Sequence, residues 1–423
     1  MTEKLLVCRG NIIFSKSRDE LSVYENSYIV VQNGKVRGIF EELPEEYSGA
    51  ELDDYGSSLI IPAFCDLHVH APQYRQRGTG MDMPLYDWLN SYTFPEESKF
   101  ESEEYARTVY DMFARDLIRN GTFHVSAFAS IHAGTAGILA EILDGYGIKG
   151  YVGKVNMDMN SPDYLTEDTE ESLYNTEEFL ASFASGSGIQ PILTPRFAPT
   201  CSEKLLSGLG RLSGKYGVGM QTHLVESKWE AAEALKLFPE ASCDAGIYEQ
   251  SGLLDNGKCI FAHFIFPTDE DIRIARRYGA YTVHCPEATN NIIAGIMPVS
   301  RVQNEGIKVS SGTDVGAGSS LAVYRQIARS VQLSKLKDFY EGDESGTITF
   351  PNAFFMATRE GGSFFGNCGA FDEGYSFDAL VIDGPEDEGM ETPPAELLER
   401  FCYSGDDRNI SARYIGGKIC SDI

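Results

Sequence analysis

Four of the seven histidines stand where short apolar, β-branched runs end, and these are the side chains with the most chemistry to offer. His68 and His70 lie two apart in Asp66-Leu67-His68-Val69-His70. Side chains in a strand repeat every two residues, so both imidazoles face the same way and can share one ion. His223 closes Gln221-Thr222-His223, and Asp314 closes Ser311-Gly312-Thr313-Asp314, which adds a third imidazole and a carboxylate. Three imidazoles and one carboxylate suit a single zinc ion per chain, with iron(II) as the competitor. His263, ending Phe261-Ala262-His263, is left over, free to orient or deprotonate a water held by that ion. Glu226 follows His223 by three residues, placed to carry protons between water and substrate. Coordination lowers the pKa of water from about 15.7 toward about 7, so a hydrolytic reaction follows, with Glu226, His263 and Asp314 as candidate catalytic residues. His124, His132 and His284 lack comparable partners in the sequence and are expected to be structural or surface residues.

These side chains need a scaffold that brings strand ends together. From about Leu59 to Asp314, strand-like runs alternate with segments of helical period, the signature of repeated βα units. Eight strands are predicted near Leu59–His70, Thr122–Phe128, Gly150–Met157, Gln190–Phe197, Gly219–Leu224, Cys259–Phe264, Ala280–Cys285 and Lys308–Thr313. That number suits an α/β fold of the (β/α)8 (TIM) barrel type, whose active sites lie at the C-terminal ends of the strands. Between them, Glu101 to Asn120 carries Tyr105, Val109, Met112, Phe113 and Leu117 at helical spacing and stops at Asn120-Gly121. Residues 1–58 read as hairpins, with Tyr28-Ile29-Val30-Val31 followed by a turn at Asn33-Gly34. Ala379-Leu380-Val381-Ile382 and Tyr414 to Lys418 have the same character. The expected organisation is therefore a barrel over 59–365 and a small β-sandwich built jointly from 1–58 and 366–423. The acidic stretch Asp383 to Glu396 is expected to be a solvated loop.

With 35 basic and 63 acidic residues, the net charge is -28, which would repel a nucleic acid or an anionic membrane. A small molecule is the expected partner. The nine cysteines are scattered singly, without a C-x-x-C pair, which argues against a disulfide framework or a thiolate zinc site and for a reducing cytoplasm. Neither a secretory signal nor an apolar run of membrane-spanning length is visible in the sequence.

The residues also match a family. The segment from His68-Val69-His70-Ala71-Pro72-Gln73-Tyr74 through Gly80-Met81-Asp82-Met83-Pro84-Leu85 to Tyr92-Thr93-Phe94-Pro95-Glu96 resembles the guanine deaminases of the amidohydrolase superfamily. So do Thr194-Pro195-Arg196-Phe197-Ala198-Pro199-Thr200-Cys201-Ser202, Gln221-Thr222-His223 with Glu226, His284-Cys285-Pro286 and Gly312-Thr313-Asp314-Val315. The resemblance spans the whole chain. It implies hydrolysis of guanine to xanthine and ammonia, or of another aminated purine, pterin or triazine-like ring on the same scaffold. It also implies that His68, His70, His223 and Asp314 ligate the metal, that His263 holds the attacking water and that Glu226 shuttles protons. Gln73, Arg196, Phe197 and Glu226 would bind the purine, with Arg196 donating to the 6-oxo group and Phe197 packing on the ring. A homodimer is implied as well. A catalytically silent relative serving as an interaction protein is the rival from another class, distinguished by lost metal ligands. Where the family has Cys-Pro-x-Ser-Asn, this chain has Cys285-Pro286-Glu287-Ala288-Thr289, and Phe264 and Phe266 follow His263 where smaller or more polar residues are usual. These departures are expected to reshape the pocket.

Overall fold

The computed structural model describes residues 4–183, 186–342, 345–384 and 392–420. Through its middle, strands buried on both faces alternate with amphipathic helices, a mixed α/β arrangement. Near-continuous apolar runs favour parallel strands covered on both sides, because neither face of the sheet meets water. Four such strands, Phe64–His70, Thr122–Phe128, Lys149–Gly153 and Ile189–Pro191, form one parallel sheet. Four more, Met220–Leu224, Cys259–His263, Tyr281–His284 and Lys308–Ser311, form a second. Backbone hydrogen bonds join the two at both edges. Gln221 N donates to Leu193 O at 2.9 Å and Leu193 N to Gly219 O at 3.0 Å on one side; Asp314 N donates to His68 O at 2.9 Å and His70 N to Val315 O at 2.8 Å on the other.

Several predicted strands are divided. The run Leu59–His70 is two elements, because Glu51–Pro62 belongs to a different sheet and only Phe64–His70 enters the parallel array. Pro62 has no N–H to extend the ladder. Gly150–Met157 splits into Lys149–Gly153 and Val155–Asn156, and Gln190–Phe197 into Ile189–Pro191 and Thr194–Pro195, the two short pieces pairing with each other. Again a proline, Pro191, ends the first piece of the second pair. The helix predicted from Glu101 to Asn120 runs Glu103–Arg119, capped by Ser102, whose Oγ accepts from Tyr105 N at 3.4 Å. Val109, Phe113 and Leu117 are buried as expected. Met112 is not; it is 40% exposed, one position off the core-facing stripe.

Strands from both termini combine in one hydrogen-bonded sheet of seven strands. Its order across the sheet is Lys418–Ile419, Ile410–Ile415, Ala379–Ile382, Glu51–Pro62, Leu5–Ser17, Glu20–Gln32 and Lys35–Phe40. The turn at Asn33-Gly34 has positive φ at both residues, 53° and 77°, the geometry that suits a two-residue hairpin connection. A separate apolar cluster, including Ile12, Phe14, Ile29, Phe377 and Val381, is buried within this sheet. Of the predicted acidic loop, residues 385–391 lie outside the described residues, and from Pro394 the chain is helical, Pro394–Ser404, with Leu398, Phe401 and Cys402 turned to the core. Among the described residues, no helix is long and apolar enough to cross a membrane.

One side chain ties the interior of the parallel array together. Gln221 Oε1 accepts from Ser126 Oγ at 2.7 Å, while its Nε2 donates to Ala127 O at 3.1 Å and Thr194 Oγ1 at 3.0 Å. Three strands thus meet on one buried amide. Replacing Gln221 with Leu leaves those partners unsatisfied, at about 1–3 kcal/mol each for a buried polar group. The expected outcome is a lower midpoint in urea unfolding, by an amount corresponding to at least about 1 kcal/mol.

Candidate active site

At the C-terminal ends of the parallel strands the backbone turns abruptly. Val225, His263, Phe264 and Asp314 all have φ between 48° and 72°, a region that non-glycine residues seldom occupy and that costs about 1–3 kcal/mol each. The turns aim His263 and Asp314 inward, toward the side chains of His68 and His70 on the first strand and His223 on the fifth. These five side chains are all buried.

Their polar atoms converge. His68 Nε2 lies 3.2 Å and His70 Nε2 3.4 Å from Asp314 Oδ1, while His263 Nε2 is 3.9 Å from Asp314 Oδ2. His70 Nε2 faces His223 Nε2 at 3.1 Å. The other nitrogen of that last ring, Nδ1, is 2.6 Å from Arg196 O and must donate to it, which leaves Nε2 as a lone pair. Two ring nitrogens meeting nose to nose, with both nitrogens of His68 and of His263 lacking a hydrogen-bond partner, form an unfavourable arrangement unless something cationic sits among them. Burial pushes the pKa of His68 down to about 3, aided by Arg196, and moves His70, His223 and His263 down as well. Neutral imidazoles are what a metal requires of its ligands. One ligand atom from each of His68, His70 and His223 lies within 4.8 Å of the others, and the same holds for His68, His263 and Asp314. The donor set therefore fits a divalent cation.

Glu226 is buried beside this cluster, with Oε1 3.6 Å from His263 Nε2. Burial, reinforced by the Asp314 charge, raises its pKa to about 8. Its own backbone N–H donates to Glu230 Oε2 at 2.6 Å, so the helix-capping carboxylate of Glu230 holds Glu226 in position. Behind the first strand, Asp66 fixes the cluster from the other side: its carboxylate accepts from His68 N at 3.2 Å and Thr313 N at 3.0 Å, and from the Thr313 hydroxyl.

A cavity opens over the cluster. Gln73, Arg196 and Phe197 line its wall, together with Trp88, Leu89 and Ile292. Arg196 Nη1 lies 2.7 Å from Glu97 Oε2, and Glu97 Oε1 accepts from Gln73 Nε2 at 2.8 Å. One buried carboxylate thus positions both side chains. Arg196 retains further N–H donors for a ligand. Glu97, Asp66 and Glu230 were not singled out from the sequence; each acts through another residue, and no spacing rule reports that.

All nine sequence-predicted site residues meet here. The other three histidines do not join them. His132 stands at the N-cap position of the helix Ala133–Gly145 without a side-chain cap bond, and His284 is buried with Nδ1 unpartnered. His124 lies at the N-terminal end of its strand. The departures from the family pattern do not line the cavity either: Thr289 Oγ1 bonds back to Cys285 O at 3.1 Å, Glu287 accepts from Ser319 and Gln326, Phe264 stacks on Phe261, and Phe266 sits beneath Lys228.

The amidohydrolase family profile matches residues 59–420. A guanine deaminase of Dictyostelium discoideum is 37% identical over 97% of this chain and 96% of its own length. Among solved structures, a guanine deaminase from C. acetobutylicum with guanine bound in its active site is 43% identical, with a TM-score of 0.96 over 98% of this chain and 100% of that one. The E. coli guanine deaminase is 27% identical, with a TM-score of 0.88 over 99% of both chains.

Glu97→Ala strands the buried Arg196 guanidinium. The expected loss of unfolding free energy is about 3–5 kcal/mol, the usual cost of removing one partner of a buried pair, whereas Glu97→Gln, which keeps an oxygen for hydrogen bonding, should lose less. Chemical denaturation of the two variants beside the wild type checks this.

Proposed function

The chain belongs to the amidohydrolase family, and on that footing we propose that it hydrolyses guanine to xanthine and ammonia. The observation that carries the reading is the pairing of Arg196 and Gln73 on Glu97 directly beside the cluster of imidazoles and carboxylates, in a chain so close to a relative holding guanine. The family is metal-dependent. His68, His70, His223 and Asp314 would hold the ion, zinc foremost and iron(II) as its competitor. When bound, such an ion brings the pKa of a water down to about 7.

The protein's own groups account for the rest. Arg196 donates to the 6-oxo oxygen, Gln73 to a second polar edge, and Phe197 packs against the ring. His263 orients the attacking water. Glu226, buried beside His263, takes a proton from the attacking water and delivers it to the ring nitrogen adjacent to carbon 2 as the oxygen adds there. A second proton transfer through the same carboxyl lets the amino group leave as ammonia. Guanine and one water thereby become xanthine and ammonia.

The same reading takes the two parallel sheets, joined at both edges, as one closed (β/α)8 barrel over 59–365, with 1–58 and 366–423 forming the flanking β domain. It places the enzyme in the cytoplasm as a homodimer serving purine breakdown. The nine cysteines, all free, are consistent with a reducing compartment.

Ammonia release from guanine tests the proposal. Glu226→Gln should lower kcat by at least about 100-fold, the lower end of what general acid–base catalysis contributes. Arg196→Ala should chiefly raise KM. Chelation should abolish turnover and zinc should restore it. No ammonia from guanine by the metal-loaded protein, with release from another aminated ring instead, would move the substrate assignment to that ring.

A further inference from the structure

The strand that carries His68 and His70 at one end carries Cys65 near the other, where a second group of donors gathers. Cys65 and His124 are direct partners in the register of Phe64–His70 against Thr122–Phe128. Cys65 lies near the start of the strand that ends at His70, with the register shift between Asp66 and Val69 separating it from the histidine pair. Cys368 reaches the same place from the segment that follows the helix Gly361–Phe365. The approach is tight: a Cβ on Gly362 would lie 2.3 Å from Cys368 O, which only glycine permits. The two sulfurs and a ring nitrogen of His124 all lie within 4.8 Å of one another, and all three residues are buried.

The surroundings are unsatisfied in a telling way. His124 Nδ1 and Asp378 Oδ2 lack hydrogen-bond partners although both residues are buried. His124 Nε2 stands 3.5 Å from Asp378 Oδ2, much the same imidazole–carboxylate spacing as His68 and His70 show to Asp314. Asp378 Oδ1 is fixed by Gly416 N at 2.6 Å. A cavity of about 210 Å³ leads in past His124 and Cys368, with Lys149 on its wall. Lys149 Nζ is 3.6 Å from Asp378 Oδ2, and its side chain is 40% exposed.

We propose that Cys65, Cys368 and His124 form a second metal site, for a thiophilic divalent cation such as zinc, which pins the N-terminal ends of the parallel strands to the terminal sheet. Thiolate and imidazole donors select zinc over magnesium or calcium. Asp378 orients the His124 ring, as carboxylates commonly do behind metal-bound histidines, and a fourth ligand can enter from the cavity. Binding deprotonates both thiols, releasing two protons to solvent. Two thiolates and the Asp378 carboxylate then balance a doubly charged cation and the Lys149 ammonium. The site is independent of the deamination assigned to the opposite pole.

Cobalt(II) separates the two sites, because His68, His70, His223 and Asp314 include no sulfur. The full-length chain, stripped of metal and reloaded with cobalt(II), should bind two ions and show a thiolate-to-cobalt charge-transfer band in the near ultraviolet. Zinc should displace the band. Cys368→Ser should lose the band and one ion while keeping the other, with guanine turnover unchanged, and Cys65→Ser provides the same test if the first variant folds poorly. A single bound ion and no such band in the wild type overturns the proposal. So does a Cys65–Cys368 disulfide, seen as two missing titratable thiols in the native chain.

Discussion

Imidazole lone pairs forced to face one another in a water-poor interior are the constraint on which the active-site end depends. His70 and His223 present Nε2 to Nε2 at 3.1 Å, and neither can protonate cheaply, because burial and the nearby Arg196 both oppose a positive charge there. The only economical resolution is a cation with vacant orbitals. Everything around the cluster prevents the alternative in which the rings swing apart: Arg196 O locks the tautomer of His223, Asp66 grips the backbone of His68 and Thr313, and Phe128 packs against three of the rings.

The pocket wall follows the same logic with opposite sign. Arg196 is a permanent positive charge in a buried position, and Glu97 neutralises it while engaging Gln73. A ligand entering this cavity meets side chains whose rotamers are already fixed, so less freedom is lost on binding. Strain at Val225, His263, Phe264 and Asp314 belongs to the same design, since a relaxed backbone would let those side chains splay from the common centre.

Much of this was legible in the sequence because ligand chemistry obeys simple geometry. The H-x-H pair follows from strand alternation, and His223, His263 and Asp314 stand at the ends of runs whose strand character is plain. Supporting residues were opaque for an equally physical reason. Glu97 ends the short helix Phe94–Glu97, with nothing local to reveal that Gln73 and Arg196 meet on it. Cys65, His124 and Cys368 come from three distant stretches, so a rule that looks for closely spaced cysteines passes over them. The divided strands were missed because prolines, not propensity, decide where a ladder ends. The substitutions at Ala288 and Thr289 resemble pocket changes on paper, yet the fold absorbs them into a helix whose hydroxyl bonds to its own backbone.

The terminal sheet carries a consequence for how the protein is made. Glu51–Pro62 takes Leu5–Ser17 on one edge and Ala379–Ile382 on the other, so on the ribosome that second edge stays bare until nearly the whole chain has emerged. At roughly 5–20 residues per second the wait is on the order of tens of seconds, during which an unpaired strand rich in isoleucine is open to pairing with a neighbouring nascent chain. Its first third, Glu51-Leu52-Asp53-Asp54, carries three carboxylates, and like-charge repulsion between two such strands discourages that encounter until the last strands arrive.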